Sequence, residues 1–305
     1  MRSFHPAPFL ADTTDMVGYL LLLALINADF DIPAQIAALE KQAFENPADL
    51  QSRLQLARIF LDQENYIEAK KNLVQAEAID SFSAQTQFLW GKFYDQRDNI
   101  ALALTKYAAA VGLDSTQSEA WHAMGYIYEI TADYSSMLNC FKKALLNASD
   151  SAGLYYDIGV TYDYLENPDS AIIVYHKSLD CGAAFPEVFT NLGADWGIIG
   201  NNDSAAYYFE KAVAAGSKSP ELYYNLGMMA AEKSETEKAI ADFIECLNND
   251  PSFAPAKMQL GNLFELLGDS AKALVYFREF VRTAPIIYLD DIKATREKLA
   301  KYDSR

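Results

Sequence analysis

Residues 118–151 read SEAWHAMGYIYEITADYSSMLNCFKKALLNASDS. Trp121, Met124, Gly125 and Tyr128 fall on one face of a first helix. Met137, Phe141 and Ala144 fall on one face of a second. The pattern returns on both sides of this stretch. Glycines 91, 125, 159, 193, 227 and 261 recur every 34 residues without an insertion. Counting each block from seven residues before its glycine gives 50–83, 84–117, 118–151, 152–185, 186–219, 220–253 and 254–287, with Ala57 in the glycine slot of the first. A fixed period of this length marks an array of helix–turn–helix units, each too small to bury its own faces and therefore stacked on its neighbours.

Within the first helices the large residues stand at i, i+3 and i+7, as in Tyr155, Ile158 and Tyr162. Glycine beside them costs about 1 kcal/mol of helix propensity against alanine. Six such costs in one chain imply a close helix approach that compensates. The second helices carry a small–large–small ridge: Ala171, Tyr175, Ser178, then Ala205, Phe209, Ala212. Short polar turns join the two, such as Glu166-Asn167-Pro168-Asp169 and Gly200-Asn201-Asn202-Asp203. Asp169, Asp203 and Asp269 are expected as helix N-caps.

These residues resemble the tetratricopeptide repeat family over 50–287. The shared pattern is W-x-x-L-G-x-x-Y, then a later alanine and aromatic, then proline. Met137 in the small-residue slot, Ala230 in the aromatic slot and serines 81, 115, 149 and 217 in place of proline depart from it. The resemblance implies an all-α, right-handed helical-repeat solenoid of seven units with capping helices at its ends. It also implies a partner lying in the groove lined by the first helices.

Composition narrows the function. Formal net charge is -17, from 42 acidic and 25 basic residues among 305. That surface repels phosphate backbones and disfavours nucleic acid as a partner. It attracts basic segments. Cys140, Cys181 and Cys246 form no C-x-x-C pair, so neither a zinc site nor a redox dithiol is expected. His5, His122 and His176 stand alone, and the common hydrolase, phosphate-loop and dinucleotide motifs are missing from the sequence. The expectation is a non-catalytic protein-binding scaffold without cofactor or metal.

The ends differ from the middle. Residues 288–305 read as an amphipathic capping helix, with Leu289, Ile292 and Leu299 inward and Lys293, Arg296, Lys298 and Lys301 towards water. Residues 1–15 are expected to be a disordered N-terminus. Residues 34–45 read as a helix, and Pro47 is in phase with Pro251 and Pro285, which makes 16–49 a decayed repeat or N-cap. Residues 16–28, MVGYLLLLALINA, are too short to span a bilayer, which needs about 20 residues. Two readings stand: a buried first helix in a cytoplasmic protein, or a signal or anchor that attaches an accessory module to a membrane or cell-envelope complex.

Three sets of groove residues are candidates for peptide binding. Asp157, Asn191, Asn225 and Gln259 share one slot in successive blocks, and such a ladder can donate to and accept from an extended backbone. Asp95, Glu129 and Asp163, with Glu265 further on, form an acidic stripe that would draw a basic peptide. Arg58 and Lys92 are two cations on adjacent blocks that can hold a carboxylate. Leu54 and Phe88 stand where the family's clamp for acidic tails carries polar residues, so no such clamp is expected.

Overall fold

The computed structural model describes residues 32–149, 151–183 and 185–303, and all regular structure among them is helical. α1 (Ile32–Glu45) comes first. Seven pairs follow: α2 (Leu50–Asp62) and α3 (Tyr66–Ile79), α4 (Ala84–Asp95) and α5 (Ile100–Leu113), α6 (Ser118–Ile130) and α7 (Tyr134–Leu145), α8 (Ala152–Tyr164) and α9 (Pro168–Asp180), α10 (Pro186–Ile198) and α11 (Asn202–Ala214), α12 (Pro220–Glu232) and α13 (Thr236–Asn249), α14 (Ala254–Leu266) and α15 (Ser270–Thr283). A 3-10 turn, Ile286–Tyr288, leads into α16 (Leu289–Asp303). The fold class is the all-α helical-repeat solenoid. Residues 1–15 and 16–28 lie outside the described residues.

One turn device ends every first helix. Glu64, Asp98, Ala132, Glu166 and Ser234 take positive φ, and Gly200 and Gly268 do the same in the remaining two blocks. The next residue's N–H then reaches back to a carbonyl five residues earlier, as from Asn167 to Tyr162 at 2.9 Å. That is the left-handed C-terminal stop of a helix. The same residue caps the second helix. Asn65, Asn99, Asp133, Asn167, Asn201 and Asp269 each accept from a backbone N–H three residues on. Asp269 is thus a cap as expected. Asp169 and Asp203 are not: they lie in the first turn, and Asn167 and Asn201 hold the capping slots. Asparagine wins there because its carbonyl reaches the orphan N–H while the chain is still outside the helix.

The glycines work by close approach. The ring sixteen residues after each one packs closely on it: Tyr107 on Gly91, Tyr175 on Gly159, Phe209 on Gly193, Phe243 on Gly227 and Phe277 on Gly261. A Cβ at any of the five would fall inside van der Waals contact with the ring. These rings are all buried, each contributing about 1.5–3 kcal/mol of transfer free energy. The small-residue slot before each ring (Ala69, Ala103, Met137, Ala171, Ala205, Ala239, Ala273) is buried as well.

The chain divides into two compact units, residues 1–127 and 128–305. In the first, α2 packs on α3 and α4 on α5, and α3 meets α4. In the second, the pairs α8–α9, α10–α11, α12–α13 and α14–α15 stack so that each second helix packs on the next first helix.

At the C-terminal end Phe280, Ala254 and Ile292 form a small core with Met258 and Tyr288. Leu299 reaches the neighbouring core around Phe277. One expectation for this cap fails: Leu289, the first residue of α16, is 45% exposed. Lys298 is partly exposed, and its ammonium lies over the Phe277 ring at 4.6 Å and reaches Glu265 at 2.7 Å.

Candidate functional site: the first-helix face of the second unit

Four first helices of the second unit carry the carboxamide slot. Asp157 sits on α8, Asn191 on α10, Asn225 on α12 and Gln259 on α14, and all four are half-buried. They are not equivalent. Asn191 donates through Nδ2 to the Tyr175 hydroxyl at 2.9 Å and so serves the protein's interior. Asp157 is also engaged within the protein. The side chains of Asn225 and Gln259 make no hydrogen bond to described residues and can turn both donor and acceptor outward.

Asn225 opens into a groove of about 410 Å³ lined by Ala194, Ile198, Met228, Met229 and Glu232. Ile198 and Glu232 are exposed at its mouth. Methionine side chains adapt to varied apolar partners. Glu232 forms no ion pair among the described residues. The groove therefore offers an apolar floor, a free carboxamide and a negative rim.

The acidic slot is not the row of open carboxylates the sequence suggested. Asp163 accepts from the Tyr175 hydroxyl and lies beside Asp195, which is 3% exposed; Asp163 Oδ1 and Asp195 Oδ2 are buried without a hydrogen-bond partner among the described residues. Burial pushes the Asp163 carboxyl up, and burial together with the Asp163 charge pushes Asp195 up. A second buried charge beside the first is costly, so the pair favours the protonated form of its carboxyls. Glu129 accepts from the Tyr164 hydroxyl at 3.0 Å, and Tyr164 stacks on Tyr134. Glu265 is held by Lys298 and Tyr302. In the first unit, Asp95 accepts from Tyr107 at 3.2 Å, and burial raises its pKa.

Nor are the two candidate cations open. Arg58 pairs with Glu119 at 3.2 Å, from the first repeat to the third, and Lys92 with Asp62 at 2.7 Å, between the first two repeats. Cys140 and Cys246 are buried, which pushes their thiols up to about 11 and about 12. Among the described residues no group of three His, Cys, Asp or Glu is placed to hold a metal, and no helix is long and apolar enough to cross a membrane.

The polar cluster of Asn191, Tyr175, Asp163 and Asp195 was missed from sequence, yet a signal for it exists. Tyrosine fills the ring slot only at 107 and 175, and aspartate fills the acidic slot only at 95 and 163. Where phenylalanine replaces the tyrosine, the acidic slot holds Glu129, Gly197, Ala231 or Glu265.

Models of the tetratricopeptide repeat match residues 118–150, 152–180 and 199–245. Among solved structures, the APC/C hetero-tetramer Cut9–Hcn1 aligns with a TM-score of 0.61 at 15% identity, over 85% of this chain and 52% of that one. A tetratricopeptide repeat protein from Parabacteroides merdae gives 0.59 at 15% identity, over 81% and 98% of the two chains. YrrB, described as a TPR protein with an unusual peptide-binding site, gives 0.53 at 22% identity, over 60% and 95%. At these identities the likeness is one of fold. A comparison with the curated proteins found no match. The architecture is that of a protein-interaction scaffold. A glycine, the ring that lies on it and the cap between them return at one spacing through the array, and the repeat's own models recognise its middle: the chain belongs to the tetratricopeptide repeat family.

Proposed function

We propose that this protein is a non-catalytic scaffold whose second unit binds an extended, net-basic peptide along the first-helix face. The observation that carries the reading is the pair Asn225 and Gln259. They share a slot on successive first helices, are half-buried and make no hydrogen bond to described residues. Asn225 stands over a groove floored by Met228 and Met229. A carboxamide without a partner among the described residues can pair with a peptide backbone, which supplies both a donor and an acceptor. The preference for a basic peptide rests on Glu232 at the rim and on a net charge of -17. The fold likeness to YrrB, a protein with a peptide-binding site, is in keeping with this reading.

Selection of a random phage-displayed peptide library on the intact chain tests it. A net-basic class should be enriched. Asn225→Ala with Gln259→Ala should weaken that class by about 0.5–1.5 kcal/mol per lost hydrogen bond, mainly through faster dissociation. No net-basic class, or one that binds the double variant as well, overturns the reading.

The apolar run 16–28 belongs, on this reading, to the mature chain of a cytoplasmic scaffold. α1 lies 34 residues before α3 and so stands in the phase of a second helix. Leu39, in the ring slot, is buried. Gln35 is exposed in the slot that the buried Ala69 and Ala103 fill in the next two blocks. Residues 16–28 stand 34 residues before 50–62 in the sequence. Mass spectrometry of the protein from its native host decides this. A species starting at Asp29 would mean cleavage and export.

A further inference from the structure

The first unit carries a second groove, of about 840 Å³, between α3 and the tip of the α4–α5 hairpin. That volume lies within the range of ligand pockets. Ile67 and Val74 form its apolar wall at 81% and 51% exposure. They stand seven residues apart on one face of α3, with Lys70 and Lys71 between them. This wall is peculiar to the first repeat. The slot of Ile67 holds Ala101, Ser135, Asp169, Asp203, Glu237 and Ala271 elsewhere. The slot of Lys70 holds Leu104, Leu138, Ile172, Ala206, Ile240 and Leu274. A large exposed aliphatic thus replaces small or acidic residues, and an exposed lysine replaces an apolar one.

Two further groups face this groove unspent. The Arg97 guanidinium lies 5.5 Å from the centres of both the Tyr66 and the Phe93 rings, which hold it in place. It forms no ion pair among the described residues. Gln75 lines the same groove, and its Oε1 is buried without a hydrogen-bond donor. Lys70 likewise makes no ion pair among the described residues, while Lys71 pairs with Glu68 at 2.8 Å. In a chain of net charge -17, a groove with three cations and a pre-positioned arginine selects strongly by sign.

We infer that this groove is a second docking site, which takes an acidic peptide segment bearing an aliphatic side chain. The aliphatic group packs between Ile67 and Val74. Carboxylates of the peptide meet Arg97 and Lys70, and a backbone N–H donates to Gln75 Oε1. The apolar wall and the lone amide acceptor favour a peptide over a phosphate backbone, which has neither an aliphatic side chain nor an amide N–H to offer. This site is separate in place and in charge preference from the groove under Asn225, so the two readings fail independently.

Fluorescence anisotropy with the intact chain tests the site directly. The probes are the labelled heptapeptide DDLEELD, its charge-reversed counterpart KKLKKLK and a single-stranded oligonucleotide of similar length. DDLEELD should bind, and its affinity should fall as salt is raised. Arg97→Gln with Lys70→Gln should weaken it by at least about ten-fold, as expected for the loss of charge-assisted hydrogen bonds. Ile67→Ser should weaken it without changing the salt slope. Asn225→Ala with Gln259→Ala should leave it unchanged. All five positions are outward-facing or half-buried, and the helical circular dichroism of each variant verifies its fold. The inference is overturned if DDLEELD fails to bind, if it binds the Arg97/Lys70 variant undiminished, or if the oligonucleotide binds this groove better than the peptide.

Discussion

Replacing Asp195 by asparagine should make the protein more stable at pH 8 and remove a stability loss that the parent suffers as pH rises. Asp195 and Asp163 lie together in the folded chain, and burial raises both. In the unfolded chain both ionise near pH 3.9. Between that value and the raised folded values, the native state therefore holds a proton that the unfolded state has lost. Stability is fully present below the unfolded pKa and falls as pH rises through the folded one. One proton corresponds to a slope of about -1.4 kcal/mol per pH unit, or roughly 2–3 kcal/mol between pH 5 and pH 7. Carboxylates with lowered values, such as Asp114, Asp133 and Asp250, have the opposite sign, but they lose their contribution only below pH 4. Asp195→Asn cannot ionise. Urea unfolding of both proteins at pH 5, 6, 7 and 8 measures the difference, and other titrating groups cancel in it. The two curves should draw together as pH falls towards about 4 and part by about one proton's slope across the measured range. Parallel pH dependence would refute a proton retained by this buried pair.

Other consequences follow from the packing. Gly193→Ala drives a Cβ into the Phe209 ring and should cost about 1–3 kcal/mol by overpacking, against the gain in helix propensity; Phe209→Leu in the same chain should restore part of the lost midpoint. Glu166 has φ 52°, so Glu166→Gly should raise the melting temperature by relieving roughly 1 kcal/mol of left-handed strain, whereas Gly200→Ala, at φ 82°, should lower it. Deleting residues 286–305 removes Ile292 from Phe280 and Lys298 from Glu265, and light scattering should then show self-association through the bared end. Val275, at 56% exposure, is open already and should not contribute to that change.

Much of this architecture is legible in the spacing alone. Six glycines at a 34-residue period fix where two helices touch, and the ring sixteen residues later follows from the same count. What the period cannot carry is the use made of a slot. Asp163 and Glu129 stand at the same repeat position, yet one is shut in with Asp195 and the other is held by a tyrosine at the surface. The difference lies in whether the ring on the glycine ends in a hydroxyl, which is a side-chain identity twelve residues away. The carboxamide ladder divides for the same reason: Asn191 has Tyr175 to bond, while the ring slots sixteen residues before Asn225 and Gln259 hold Phe209 and Phe243, which have no polar atom. The first-unit groove was hidden because Ile67, Lys70 and Val74 look like ordinary alternation until they are set beside the same slots in the other six repeats.

Hydrogen–deuterium exchange of the intact chain, with and without the tightest net-basic peptide selected on it, tests the functional reading most directly. Amides open locally wherever contacts are few, and a bound peptide protects those it covers. Protection should concentrate on α10, α12 and α14, around Asn191, Asn225 and Gln259, and should be lost in Asn225→Ala with Gln259→Ala. Protection confined to the second helices, or spread evenly over both units, would contradict a peptide lying along the first-helix face.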